Sequence, residues 1–483
     1  MNLKPEILRL AVPSILANIT VPLVGMVDIA VVGHLGTAGS GFTGAALIGG
    51  ISIGTMLFDL LYWNFAFLRA GTGGLTAQAY GRRESMAAIG RILSRALHIA
   101  LLSALALILL QWVVVKAAFL FVECSTEVQQ LATRYFYIRI WAAPATLSLF
   151  AFKGWFIGLQ DSVRPMTADL LVNVINMVLS VALGFGLPGL PALGFSGVAL
   201  GTVIAQWSGF AYCLVAARHR YGFSISRNSL SVSFLNKRSI KKRSISFAET
   251  TDNQKVIKHE KTQADGTAGF FSLNRDLFLR SLGMIAVYIG FTVLSARFGD
   301  LALAVSTILM KLLMVFSYFT DGFAYAGEAL TGRFIGEHST DGVRSTVRDT
   351  YLLTIGVMLL FMLGYGLGGT PLFRLMTSDT AVVEAGRAYL PWLLLMPLIG
   401  CPAFVWDGIF IGATASKDLR NSTLLCALGF FSTWFILCGV SGSSPEPERA
   451  LHYLMAAYFV HLAIRSGYLT AKYRNAVLGK LLP

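Results

Sequence analysis

The feature that most constrains this 483-residue chain is a recurrence of apolar runs, each near the length of a membrane span. A helix needs about 20 apolar residues to cross the hydrocarbon core, where every backbone N–H and C=O must be bonded internally. Twelve runs are legible, with cores near 7–32, 44–68, 92–116, 132–158, 166–187 and 196–217, then 276–296, 301–328, 350–369, 388–413, 422–441 and 450–471. Only 13% of residues are charged, against about 25% in soluble domains. The expectation is an all-α membrane protein. Met1–Arg9 is short and mixed in charge, so a cleavable signal is not expected.

Charge sets the orientation. The net charge of +14 would suggest nucleic acid in a soluble protein, but here much of it falls in alternate loops. Arg82, Arg83 and Arg91 follow the second run, Arg164 the fourth, Arg344 and Arg348 the eighth, and Lys417 and Arg420 the tenth. Lys472, Arg474 and Lys480 lie in the tail. By the positive-inside rule both termini are cytoplasmic, and no nucleic-acid partner is expected. The five cysteines show no C-x-x-C spacing, so neither a metal site nor a disulfide framework follows.

The chain divides into a lobe at 1–220, a basic linker at 221–275 and a lobe at 276–483. The linker holds K-R-S-I-K-K-R-S at 237–244. It reads as a solvated cytoplasmic segment able to attract anionic lipid headgroups. The lobes repeat. L-T-A-Q-A-Y-G at 75–81 matches L-T-G-R-F-I-G at 330–336, and F-K-G-W-F-I-G at 152–158 matches W-D-G-I-F-I-G at 406–412. An even number of spans per half gives both copies the same orientation. That implies parallel repeats about an axis along the membrane normal, with a cavity between the halves.

Ionisable residues inside apolar runs are the candidates for function, because an Asp at the centre of a span costs roughly 2.5–3.5 kcal/mol on insertion scales. Asp28 in P-L-V-G-M-V-D-I-A-V-V-G-H-L-G is the first. It either hydrogen-bonds within the bundle or couples to an ion or substrate. Asp59 and Arg69 follow in the second run; ten apart, they could point to similar sides of one helix. Lys153 lies in the fourth run and Asp407 in the tenth. In the eighth run Lys311, Met314, Tyr318, Asp321, Tyr325 and Glu328 recur at spacings of three and four. They form one polar and aromatic stripe, read as cavity lining. The fifth run offers Asn173, Asn176 and Ser180, whose spacing alone does not separate cation ligation from helix packing. Enzyme motifs are weak: there is no Walker A and no spacing for a metal. No cofactor is expected.

These motifs together resemble the multidrug and toxic compound extrusion (MATE) family, in its DinF-like branch. The resemblance covers nearly the whole chain. Its carriers are the Asp28 stretch, F-L-R-A-G-T-G-G-L-T-A-Q-A-Y-G at 67–81, G-W-F-I-G-L-Q-D-S-V-R-P at 154–165, G-V-A-L-G-T-V-I-A-Q at 197–206 and D-G-F-A-Y-A-G-E-A at 321–329. It implies twelve helices in two six-helix lobes in the inner (plasma) membrane. It also implies export of organic, often cationic or amphipathic, compounds by a monomer driven by protons or sodium. The family's first-helix Asp matches Asp28, its fifth-helix Asn matches Asn176, and its sixth-helix Thr matches Thr202. Ser180 stands where the family often has a second Asp. Asp28, Asn176, Ser180 and Thr202 are therefore the expected ion-coupling set, with proton favoured over sodium. Asp59, Lys153, Tyr318, Asp321, Tyr325, Glu328 and Asp407 are the expected substrate cavity. A lipid-linked-precursor flippase of a related family is the near alternative, and a membrane-embedded transferase the alternative from another class.

Overall fold

The computed structural model describes residues 1–35, 44–120, 124–186, 192–223, 251–298, 300–376, 380–440 and 446–481. In chain order the first lobe holds α1 (Lys4–Leu35), α2 (Gly44–Trp63), α3 (Ala66–Gly81), α4 (Met86–Ala118), α5 (Thr126–Arg139), α6 (Ala143–Gly158), α7 (Val163–Phe185) and α8 (Phe195–Tyr221). The second holds α9 (Thr251–Ala296), α10 (Asp300–Gly336), α11 (Thr340–Met376), α12 (Thr380–Arg387), α13 (Leu390–Gly412), α14 (Ser416–Val440) and α15 (Pro447–Ala476). Among the described residues ten segments are long and apolar enough to cross a membrane, α2–α3 and α5–α6 each counting as one. α1 and α15 are the remaining two spans, at 32 and 30 residues. The basic stretch at 237–244 lies outside the described residues, and α9 reaches back from the seventh span to Thr251.

Local sequence explains where spans break. The fourth is interrupted by a turn of 3-10 helix at Ile140–Ala142, and Pro144 then opens α6. The tenth follows the short α12, and Pro391 opens α13. Proline lacks the N–H that a continuing helix would need, but fits a first turn. α11 kinks at Gly369, where the ninth apolar run ends. Ser85 and Ser125 cap α4 and α5 by accepting from Ala88 N and Val128 N.

The repeat is visible in the backbone. Among the described residues four non-glycine residues have positive φ: Arg83 (54°), Gln160 (64°), His338 (54°) and Thr414 (53°). Each lies two residues beyond a glycine that ends one of the four repeat motifs. The next N–H in each case reaches back to close the helix, as in Glu84 N to Ala79 O (3.1 Å) and Ser339 N to Phe334 O (2.9 Å).

The crossings repeat as well. α6 lies against α3 so closely that a Cβ on Gly154 would strike the carbonyl of Arg69, and one on Gly158 that of Gly73. α13 lies against α10 in the same way, Gly408 on the carbonyl of Ala324 and Gly412 on that of Glu328. The glycines four apart are thus helix-contact residues in both lobes.

Between lobes the contacts are reciprocal. Gly81 packs on the carbonyl of Arg333, and its repeat partner Gly336 packs on that of Gln78, the repeat partner of Arg333. Ala77 meets its own counterpart, Gly332. Such i-to-j and j-to-i pairing is the signature of a two-fold axis, here between α3 and α10. The lobes meet through α1, α3 and α6 on one side and α9, α10 and α13 on the other.

Candidate functional site: a coupling carboxylate, a cleft and a buried charge cluster

In the first lobe, α1, α7 and α8 bring Asp28, Asn176, Ser180 and Thr202 together, all buried. Ser180 Oγ donates to Asp28 Oδ1 at 2.7 Å. One turn earlier on α7, Asn176 Nδ2 donates to Thr202 Oγ1 at 2.8 Å, and Thr202 Oγ1 donates to Val198 O at 3.3 Å. Asn176 Oδ1 is buried without a described hydrogen-bond partner. Asn173 points elsewhere and donates to Thr20 Oγ1 at 2.6 Å. The group therefore has one carboxylate among neutral oxygens. Arg139, at the end of α5, lies within electrostatic reach of Asp28.

Beside this group α2 and α10 present exposed residues, and we read the space between them as a cleft between the lobes. On α2, Ser52, Met56 and Asp59 are exposed at helical spacing. On α10 the stripe runs from exposed Lys311, through half-buried Tyr318, Asp321 and Tyr325, to fully buried Glu328. Asp59 is within electrostatic reach of Arg139 and Lys311, and Tyr318 is within reach of Asp59 and Tyr288. The exposed carboxylate of one lobe thus faces the exposed ammonium of the other. The Trp63 and Tyr288 rings meet across the same gap, centroids 5.4 Å apart.

The stripe descends into a buried cluster. Arg69 of α3 pairs with Glu328 of α10 at 3.0 Å and covers the Tyr325 ring at 4.3 Å. Glu328 has the place in its lobe that Gly73 has in the other, and the two face one another, so the carboxylate fits because the first lobe has no side chain there. Asp407 of α13 is held by two guanidinium groups, Arg280 of α9 and Arg465 of α15; Arg465 Nε donates to Asp407 Oδ1 at 3.1 Å. Asp321 lies within reach of Arg69, Arg280 and Arg465. Lys153 pairs with Asp169 of α7 within the first lobe.

Beyond the cluster the lobes are sealed. Gln78 Nε2 donates to Gly412 O at 3.0 Å, and Gln160 Nε2 donates to Ala329 O at 2.7 Å. The start of α1 is tied to the second lobe by Arg333–Glu6 (3.0 Å) and Leu3 N to Asp349 Oδ2 (2.7 Å).

Of the residues expected in the cavity, Asp59, Tyr318, Asp321 and Tyr325 face the cleft, while Lys153, Glu328 and Asp407 sit in ion pairs. The juxtaposition of Asp59 and Arg69 on one helix is corrected. The helix breaks after Trp63, Arg69 lies on α3, and its partner is Glu328. Sequence reading passed over Arg139, Asp169, Arg280 and Arg465. The available signal was the one that singled out Asp28, namely an ionisable residue inside an apolar run.

Two lobes of parallel repeats, a polar cleft between them and buried charges at its base define a multi-pass membrane transporter. The family profile described as MatE matches residues 13–182 and 277–432. The chain therefore belongs to the MATE family, whose members are transporters rather than enzymes. It is 33% identical over 467 residues to DNA damage-inducible protein F of Escherichia coli K12, covering 97% of this chain and 91% of that protein. It is 20% identical to the probable multidrug resistance protein NorM of Thermotoga maritima, over 90% of this chain and 84% of that one. In fold it is similar to the Vibrio cholerae MATE transporter VcmN in its bent form. That match has a TM-score of 0.77 and 16% identity, covering 99% of this chain and 98% of that one.

Proposed function

We propose that this transporter exports organic cations in exchange for protons, with Asp28 as the coupling carboxylate. The observation that carries the reading is the contrast between the two buried carboxylates of the lobes. Asp407 is already matched by two guanidinium groups, whereas Asp28 accepts a neutral hydroxyl from Ser180. A hard cation such as sodium gains affinity from several oxygen ligands and from charge. One carboxylate beside Asn176, Ser180 and Thr202 provides little charge for it. A proton needs only a single carboxylate to bind, and Asp28 supplies one.

On this reading Asp59, Tyr318, Asp321 and Tyr325 receive the substrate, and acidic and aromatic groups suit a cation. The cluster's guanidinium groups, Arg69, Arg280 and Arg465, are matched by Asp321, Glu328 and Asp407. That leaves no basic excess for an anionic lipid carrier. The sealed end carries both termini and faces the cytoplasm of the inner membrane, in keeping with the Lys/Arg bias.

Reconstitution tests the coupling. Proteoliposomes should move a fluorescent cation such as ethidium under an imposed pH gradient and show no response to a sodium gradient at fixed pH. Sodium-driven movement would overturn the proton assignment. Full transport by Asp28→Asn would return Asp28 to a structural role.

A further inference from the structure

Half-buried Arg139 stands apart from the arginines of the cluster. Arg69, Arg280 and Arg465 each make an ion pair with a carboxylate. Among the described residues Arg139 makes none. Both of its described hydrogen bonds use Nη1 and go to neutral hydroxyls, Tyr135 at 3.1 Å and Thr55 at 3.4 Å. Its guanidinium lies over the Phe58 ring at 4.9 Å. Holding a guanidinium in a membrane span without a paired carboxylate is costly, so its charge must be balanced at longer range.

Two carboxylates provide that balance, and they belong to different parts of the machine. Thr55 is one turn before Asp59 on α2, so the guanidinium is held against the segment that presents Asp59 to the cleft. Asp28, bonded to Ser180, is also within electrostatic reach of the guanidinium. The charged and titratable groups facing Arg139 are Asp59 and Tyr62 from α2, Tyr135 from α5 and Asp28 from α1. From the second lobe, Lys311 reaches Asp59 across the cleft. Asp28 in turn faces Ser180 of α7 and Arg139.

We propose that Arg139 is a counter-ion shared between Asp28 and Asp59, and that it links protonation at one to cation binding at the other. This rests on the antiport reading above for its purpose, but not for its test. With Asp28 ionised, Arg139 is drawn toward it and Asp59 is left to accept a substrate cation. With Asp28 protonated, the guanidinium turns to Asp59 and competes with the cation there. Linkage of this kind is reciprocal: a bound cation must also favour release of the proton from Asp28.

The test is a binding cycle on the full-length protein in detergent, with tetraphenylphosphonium as the probe and the fluorescence of Trp63 as one available signal. Asp28→Asn fixes the coupling site in its neutral form and should weaken probe binding about tenfold, within the roughly 5–150-fold range of such couplings. Arg139→Gln should remove the dependence, so that Asp28→Asn with Arg139→Gln binds within about twofold of Arg139→Gln alone. Arg139→Lys, which keeps the charge, should retain most of the Asp28→Asn effect and guards against a merely structural loss. Asp59→Asn should weaken binding and make it insensitive to Asp28→Asn. If Asp28→Asn costs the same about tenfold with and without Arg139, or costs nothing in the parent, the shared counter-ion is refuted. Failure of proton-driven transport with the cycle intact would overturn the antiport reading and leave the link standing.

Discussion

Glu328→Gln should unseal the base of the cleft. The pair it breaks joins the lobes: Arg69 lies on α3 and Glu328 on α10, 3.0 Å apart, with the carboxylate side chain 1% exposed and the guanidinium 17%. Removing one partner of a buried pair typically costs about 3–5 kcal/mol, because the other charge is stranded. Here the loss is smaller. The amide retains an acceptor oxygen, the Tyr325 ring stays under the guanidinium, and Asp321 remains within reach. About 2 kcal/mol is the reasonable figure. It falls on any state in which the lobes meet at this point and spares one in which they have parted. At about 1.4 kcal/mol per tenfold, that is a roughly 30-fold shift, so a 99:1 preference for the sealed base would become roughly 3:1.

Spin labels at Met86 and Asp341 read this shift. They are repeat counterparts, both exposed, in the first turns of α4 and α11. The parent should give one dominant distance, and Glu328→Gln a second population large enough to integrate. A folded variant with the parent's distribution would show that the pair does not hold the lobes together.

Asp321→Asn should reduce export of cationic probes about tenfold more than that of neutral ones, since a carboxylate about 5 Å from a cation is worth roughly 3 kcal/mol at an effective dielectric near 20 before water competes; paired transport assays measure the ratio. Gly408→Ala should cost about 1–3 kcal/mol of stability, because its methyl would strike the Ala324 carbonyl and force α10 and α13 apart; a fall in melting temperature checks it. A reporter fused at the carboxyl terminus should be active only in the cytoplasm, as the Lys/Arg bias requires.

Much of this architecture was legible because it is written in local pattern. Run length gave the spans, and the end of the ninth run coincides with the Gly369 kink. The paired glycines and their motifs gave the repeat, because close approach of two helices admits no side chain at Gly154 or Gly408. The stripe on α10 was readable from spacing alone. What spacing cannot report is a partner supplied by a distant helix. Arg280, Arg465 and Asp407 come from α9, α15 and α13, and no periodicity links them. The break after Trp63 was missed because Trp63 and Asn64 interrupt an apolar run without a proline or glycine to mark the site.

The two lobes share a backbone and differ in charge, and that difference supports assigning them different tasks. Where α6 carries Lys153, α13 carries Asp407; where α3 carries Arg69 and Gly73, α10 carries Ala324 and Glu328. Each exchange adds to the second lobe a carboxylate that a guanidinium then neutralises, Asp407 from within its own lobe and Glu328 from across the interface. Charges matched in this way hold helices and lobes in register, and they give an incoming ion little to bind. The first lobe keeps Asp28 against a neutral hydroxyl and, among the described residues, Arg139 without an ion pair. On the proposed coupling, a proton arriving there changes the local charge by a full unit within reach of the guanidinium that also faces Asp59. In a frame with two-fold backbone symmetry, the carboxylate that makes no direct ion pair among the described residues is thus the one we propose as the coupling site.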